Sequence, residues 1–325
     1  MKNRVVIPVF LFILFSLAAS AQLKKGVSRY TLPGKTGALQ ISLGDLKVER
    51  TELSADGPRI GVAAGGESDL ALSIFIKPAE KPGPSSVCRD TWWPRTEAAA
   101  TGELKTTLQG KRLYQKGPMA LVEFFTPRFQ SKTINEKSIH AYVVAGDLWI
   151  EIQLSKKQYQ PHDQALFDRV LNSVEALPAY VNTSRDYAGF GGYFFAKDDY
   201  PGAARYYQQA LDLEKKSAAL DQRGFEVMID ELAAARLATH DLQNAQAAIQ
   251  YGISRYPDYP LFYYNMASVY AELDRMEECI EQLRAAWKRR TNVLPGEQFP
   301  DPATDGYFRR FMKNEKFAQA MREMR

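Results

Sequence analysis

The chain has 325 residues, with 42 Lys and Arg against 38 Asp and Glu, three His, two Cys and 45% hydrophobic content. That composition belongs to an ordinary globular protein and excludes disordered, fibrous and disulfide-framework classes. The formal charge of +4 includes Lys2 and Arg4 near the N-terminus, and so even a balance excludes an electrostatic nucleic-acid binder.

Residues 1–21 read as a secretory signal peptide: basic Lys2 and Arg4, the apolar run Val5–Leu17, then small residues at Ala19-Ser20-Ala21. The apolar run is shorter than the roughly 20 residues that span a bilayer, and no later stretch reaches that length. No Cys stands at the cleavage site for a lipid anchor. The expectation is an exported protein, periplasmic or extracellular, without an integral membrane segment once the signal is removed. In such a compartment Cys88 and Cys279 could pair, but Cys279 falls on a helical core position and no catalytic motif surrounds Cys88, so both are expected as unpaired structural thiols.

From about residue 36 to 154 the pattern has period two, as in strands with one buried face. Leu70, Leu72, Ile74 and Ile76 alternate with Ala71, Ser73, Phe75 and Lys77, and Leu148, Ile150, Ile152 and Leu154 alternate with Trp149, Glu151 and Gln153. The run Ile139–Val144 joins the latter through Ala145-Gly146-Asp147, which predicts an antiparallel hairpin. Weaker strands are predicted near Leu39–Leu43, Leu46–Leu53, Ile60–Ala63 and Met119–Phe125, with a short helix over Ser85–Trp93 ending before Pro94. A closing helix begins near Pro161, its apolar stripe Leu166, Phe167, Val170, Leu171 and Val174 able to lie on the sheet. The order of these elements resembles the PsbP-like α/β/α domains, which implies an antiparallel sheet with packed helices over residues 22–178; a lipocalin-like or other ligand-binding barrel is the alternative.

Chemistry-bearing constellations are sparse in this half. His140 shares a strand face with Tyr142 and Val144, and His162 stands at the start of the closing helix; neither has zinc-ligand spacing, so no metal or cofactor is expected. Gly65-Gly66 lacks the Gly-Lys-Ser/Thr of a phosphate loop, and Gly-x-Ser-x-Gly is absent. Trp92 and Trp93, beside Arg89 and Arg95, are a possible surface contact, because exposed aromatic and Arg side chains dominate binding hot spots.

Past Pro178 the alternation gives way to Ala-rich helical periodicity with internal repeats. Ala203, Ala204, Tyr207, Ala210 and Leu211 recur as Ala245, Gln246, Ile249, Gly252 and Ile253, and as Cys279, Ile280, Leu283, Ala286 and Trp287. Cys279 follows Ala245 by 34 residues, whereas Ala245 follows Ala203 by 42, the extra length falling near Ser217–Gly224. Upstream stand Tyr187, Phe190, Gly191 and Phe194; Ile229, Leu232, Ala233 and Arg236; and Tyr263, Met266, Ala267 and Tyr270. These residues resemble the tetratricopeptide repeat (TPR), with Arg236 where Tyr is usual. The resemblance implies three stacked helical hairpins over residues 179–325, closed by a capping helix with Phe308, Phe311, Met312, Phe317, Met321 and Met324.

The fold class expected is therefore α+β: an N-terminal antiparallel β-sheet domain with packed helices, followed by an all-α TPR domain. In the TPR family the first helix of each pair lines a groove for a partner. Transferred here, the groove positions are Ala188, Gly192 and Phe195; Asp230, Ala234 and Leu237; and Tyr264, Ser268 and Ala271. Phe195, Asp230, Leu237, Tyr264 and Ser268 are the partner-binding candidates, and the Lys and Asn pattern that clamps chaperone tails is missing. The groove could also be filled by the N-terminal domain or by the long junction. The function expected is a non-catalytic scaffold binding a protein or peptide partner, with no nucleic acid. The alternative is a small-ligand protein or enzyme with its pocket in the N-terminal domain and the repeats as a docking module.

Overall fold

The computed structural model describes residues 26–54, 60–66, 68–103, 107–129 and 132–324, so the leader read at 1–21 lies outside the described residues. The chain divides into two compact units between Asn182 and Thr183, a sheet unit and a helical unit.

The sheet unit is built on seven strands: β3 (Lys47–Leu53), β4 (Ile60–Gly65), β5 (Leu70–Pro78), β6 (Gln109–Lys116), β7 (Met119–Phe129), β8 (Lys132–Ala145) and β9 (Leu148–Lys156). They lie in the order β3-β4-β5-β9-β8-β7-β6, every pair antiparallel. A second sheet pairs β2 (Ala38–Ser42) with β1 (Val27–Tyr30) on one side and β10 (Glu175–Leu177) on the other. Alternation along each strand sorts the large sheet into two faces. Ile74, Ile152 and Ala141 meet on one face, as do Ile76, Ile150 and Val143, all within 1% of full burial. The opposite face carries Trp149, Glu151, Tyr142 and His140. Its edge β3 exposes charges of both signs, Lys47, Glu49, Arg50 and Glu52, whereas the edge β6 exposes the cations Lys111 and Arg112 with half-buried Lys116 beyond them.

Helix α1 (Ser85–Ala98) forms the crossover between β5 and β6 and lies over β7, β8 and β9. The Ser85 hydroxyl anchors its start, donating to the Pro118 carbonyl at 2.6 Å and accepting from Val144 N–H at 3.0 Å. The helix runs through Pro94 instead of stopping before it, then widens into a π turn at Ala99–Glu103. Helix α2 (Gln164–Leu171) follows a turn at Pro161–Asp163 and buries Phe167, Val170 and Leu171.

The helical unit contains α3 (Ser184–Phe195), α4 (Tyr200–Lys216), α5 (Gln222–Ala238), α6 (Leu242–Arg255), α7 (Pro260–Glu272), α8 (Met276–Lys288) and α9 (Glu315–Glu323). Three hairpins, α3–α4, α5–α6 and α7–α8, share one local geometry. Asp198, His240 and Asp274 each take a left-handed conformation, with φ of 58°, 58° and 59°, at the turn. The next N–H, of Asp199, Asp241 and Arg275, returns to the carbonyl of Phe194, Arg236 and Tyr270. Ala203, Ala245 and Cys279 are each the fourth residue of the second helix, each fully buried. Small residues let the helices approach closely. A Cβ added at Gly191 would lie 2.5 Å from the Tyr207 ring, and one at Gly252 would lie 2.9 Å from Ile229 and Phe262. The 42-residue interval is met by two 17-residue helices and a short junction. Buried Glu214 pins that junction, accepting from Ala219 N–H, Leu220 N–H and the Ser184 hydroxyl. The apolar stripe of the last residues closes the unit, with Phe308 and Phe317 fully buried against Cys279, Ile280 and Leu283.

Candidate functional site

The first helices of the hairpins, α3, α5 and α7, pack side by side in one layer. Phe195 lies half-buried at the end of α3, its ring edge-on to Tyr200. Asp230 is half-buried on α5 and accepts from Asn265 Nδ2 of α7 at 2.7 Å. The other three partner candidates are covered. Leu237 and Ser268 are 2% and 1% exposed, the latter donating to the Tyr264 carbonyl at 3.2 Å, so they hold helices together and present nothing to a partner. Tyr264 is 4% exposed because the chain's own C-terminal segment lies on it.

That segment, residues 293–311, crosses α7. The Glu297 carboxylate accepts from the Tyr259 hydroxyl at 3.0 Å and from Leu294 N–H at 3.0 Å. Phe299 packs edge-on to Tyr264 and Trp287, and Asp305 accepts from the Tyr264 hydroxyl at 2.8 Å. Farther on, Phe308 meets the Tyr264 ring, and Arg310 reaches Glu272 at 3.6 Å. Over α7 the occupant is therefore a segment of the helical unit itself. The aromatic residues Phe299 and Phe308 were the available signal for a covering segment, but they are equally the pattern of a cap.

Beneath the segment, α5 turns Glu226, Asp230 and Glu231 toward Glu297. Burial first, then the Glu297 charge, pushes Asp230 up to about 7 and Glu231 up to about 8; Asn265 works against the shift at Asp230. Glu226, 3% exposed, is raised by the same two causes, opposed by Gln222. The Tyr207 hydroxyl of α4 donates to Glu231. Among the described residues no Lys, Arg or His pairs with these carboxylates. A cavity of about 380 Å³ opens beside them, lined by Gln222, Glu226, Tyr256, Asp258, Tyr259 and Leu294 among others. Arg236, where the repeat usually has Tyr, is 8% exposed and donates to the Asn244 carbonyl of α6 at 2.5 Å, so a guanidinium fills the aromatic's place.

In the sheet unit the possible contact pair Trp92 and Trp93 is core, at 9% and 5% exposure, not surface. Cys88, Trp92 and Trp93 fall within one broad helix stripe, so adjacent indoles both reach the sheet. Trp92 stands edge-on to Trp149 and Tyr142, with Lys77 Nζ 4.3 Å from its ring centre. Trp93 packs on Phe124 and edge-on to His140. His140 Nδ1 and the Tyr142 hydroxyl each lie 2.9 Å from Glu151 Oε1. Burial pushes Glu151 up, but the bonds and charge of His140, with Gln153 and Tyr142, hold it below the usual carboxylate range. Cys88 is free and fully buried, and burial, with the Glu151 charge, pushes its thiol up to about 12, where it is no nucleophile. His162, its side chain 82% exposed, stands apart at the start of α2. Asn182 is buried at 7% exposure, its side chain accepting from Gly34 N–H and donating to the Thr31 hydroxyl.

No protein-family model matches the chain, and no curated protein sequence matches it. Among solved structures it is similar to the type III secretion translocator chaperone SycD of Yersinia enterocolitica, at 15% identity over 45% of this chain and 93% of that one, TM-score 0.31. Cyanobacterial PsbP (CyanoP) of Synechocystis sp. PCC 6803 is similar at 13% identity over 48% and 95%, TM-score 0.33. LpqN of Mycobacterium tuberculosis, involved in cell envelope biogenesis, is similar at 12% identity over 46% and 90%, TM-score 0.24. Likeness this distant assigns neither family nor function. No helix among the described residues is long and apolar enough to cross a membrane.

Proposed function

We propose that the chain is an exported scaffold protein of the TPR class, with a signal peptide at 1–21, a PsbP-like sheet domain at 22–178 and a repeat domain at 179–325. It binds a protein or peptide partner on the α3–α5–α7 layer and carries out no catalysis. The observation that supports this most is the threefold recurrence of one hairpin, with Ala203, Ala245 and Cys279 in matching places and the first helices side by side. Repetition of that kind builds an extended surface suited to holding another chain. The contact residues reduce to Phe195 while the C-terminal segment is in place, with Asp230 and Tyr264 added when it moves.

The test is photo-crosslinking in the native envelope, with a benzophenone amino acid at position 195 and, as control, at exposed Gln250 on α6. A partner band at 195 that is missing at 250, and that weakens with Asp230→Asn, is the expected result. Equal labelling at both positions rejects the groove.

A further inference from the structure

The stretch that covers α7 is poorly matched to what it covers. Residues 293–305 have no helix or strand, and three prolines, Pro295, Pro300 and Pro302, keep them from forming one. They are held at two stations. At the near station Glu297 sits on the Tyr259 hydroxyl of α7. At the far station Phe299 and Asp305 sit on Tyr264, with Arg310 beside Glu272 beyond them. Glu297 bonds the Tyr259 hydroxyl and acts through its charge on Glu226, Asp230 and Glu231 of α5; Tyr207 of α4 donates to Glu231, Asn265 of α7 donates to Asp230, and Asp258 in the turn before α7 lines the adjoining cavity. Every ionised partner in that set is negative.

We propose that residues 293–305 are a proton-operated strap: closed over α5 and α7 at acid pH, and lifted as pH rises and the α5 carboxyls facing Glu297 lose their protons. Its use as a gate rests on the partner-groove reading, but the lifting itself does not. In the closed state Glu297 and the α5 carboxyls are crowded together under the strap, Glu226 buried and Asp230, Glu231 and Glu297 half-buried, where like charges are ionised together only at a cost. Opening returns Glu297 to water and admits water to the α5 carboxyls. The upward shift of Asp230 and Glu231 in the closed state gives the direction: opening releases protons, so it is favoured by rising pH. For each proton released, the open-to-closed ratio rises about tenfold per pH unit between the two states' titrations. Phe308 and Phe311 stay in the core, so the strap is tethered at that end.

The experiment uses the full chain with spin labels at Gln298→Cys on the strap and Gln250→Cys on α6, both exposed. The native thiols are buried and pushed up to about 12, so they do not compete for label. Inter-label distances are measured by pulsed electron resonance from pH 5 to 8.5, with hydrogen exchange of 293–305, corrected for its intrinsic pH dependence, as a second readout. The expected result is one distance at pH 5 and a second, growing population toward pH 8.5. Glu297→Gln keeps the acceptor without the charge and holds the strap closed throughout; Glu231→Gln weakens the response. A distance distribution and corrected exchange that do not change with pH overturn the inference, and so does a response unaltered in both variants. A strap that lifts while position 195 captures no partner sinks the groove alone; capture with a strap that stays shut sinks the gate alone.

Discussion

In the sheet unit Glu123 and Glu151 enter the interior accompanied by cationic or protonatable groups, whereas in the helical unit half-buried Asp230 and Glu231 lie under a segment that brings another carboxylate toward them. Lys137 Nζ lies 3.0 Å from Glu123, both side chains 6% exposed, and Arg112 and Tyr114 complete the cluster. Burial pushes Glu123 up, but Lys137, Arg112 and Tyr114 outweigh it and hold the carboxyl below its ordinary range. One unit therefore spends its buried charge on a fixed arrangement, and the other leaves charge unbalanced beneath a segment with little regular structure. Balanced burial gives rigidity and unbalanced burial gives a response to protons.

The largest expected effect breaks the balanced side. Lys137→Met leaves Glu123 in the interior without its buried cation and should cost about 3 kcal/mol, read as a drop in the sheet unit's denaturation midpoint. Next comes pH, which should separate the units. Glu151 and Glu123 titrate below their unfolded value, so their stabilisation is present above the ordinary carboxylate range and is lost as pH falls through the lowered values. Asp230 and Glu231 titrate above theirs, so their stabilisation is full below that range and is lost as pH rises through about 7 and about 8. The helical unit should lose on the order of 2 kcal/mol between pH 5 and 8.5, with residue-resolved hydrogen exchange showing no such loss in the sheet. Gly191→Ala pushes a methyl into the Tyr207 ring and should cost ~1.5 kcal/mol, while Gly192→Ala, whose added Cβ would be 3.3 Å from the Tyr207 hydroxyl, should cost less. Smallest is Asp221→Ala at the start of α5, which removes the acceptor for Gly224 N–H at 2.8 Å and should cost about 1 kcal/mol in a thermal melt.

Periodicity made both halves legible. The alternation of Leu148–Leu154 and the Ala-rich offsets after Ala203 each mark an apolar face, and the structure places a strand and a helix there, although β9 is also covered on its other face, with Trp149 and Glu151 buried. Three strands escaped notice for separate reasons. β6 is an edge with almost no buried face to set an alternation, and β1 and β10 are too short to show one. Pro94 misled, since the expected break assumed a helix with nothing to hold it, whereas α1 is held on the sheet by Cys88, Trp92 and Trp93, the two indoles immediately before the proline. The candidate site was half legible. Groove positions could be counted from the leading aromatics, but their exposure depended on residues 293–311, whose pairing with α7 is a long-range contact without periodic signature. The carboxylate cluster was hidden for the same reason, because Glu297 lies far along the chain from Glu226, Asp230 and Glu231.

Among the described residues the large sheet is open, so β3 and β6 each leave a row of backbone donors and acceptors without a neighbouring strand. Such rows recruit strands from neighbouring molecules and nucleate ribbons unless something discourages stacking. Lysine, arginine and glutamate along β3, and lysine and arginine along β6, bring a desolvation cost to any copy that docks there, with like-charge repulsion between two β6 edges. Crowded conditions would then leave these molecules separate from one another, and replacing Lys111 and Arg112 with valine would remove that safeguard from one border.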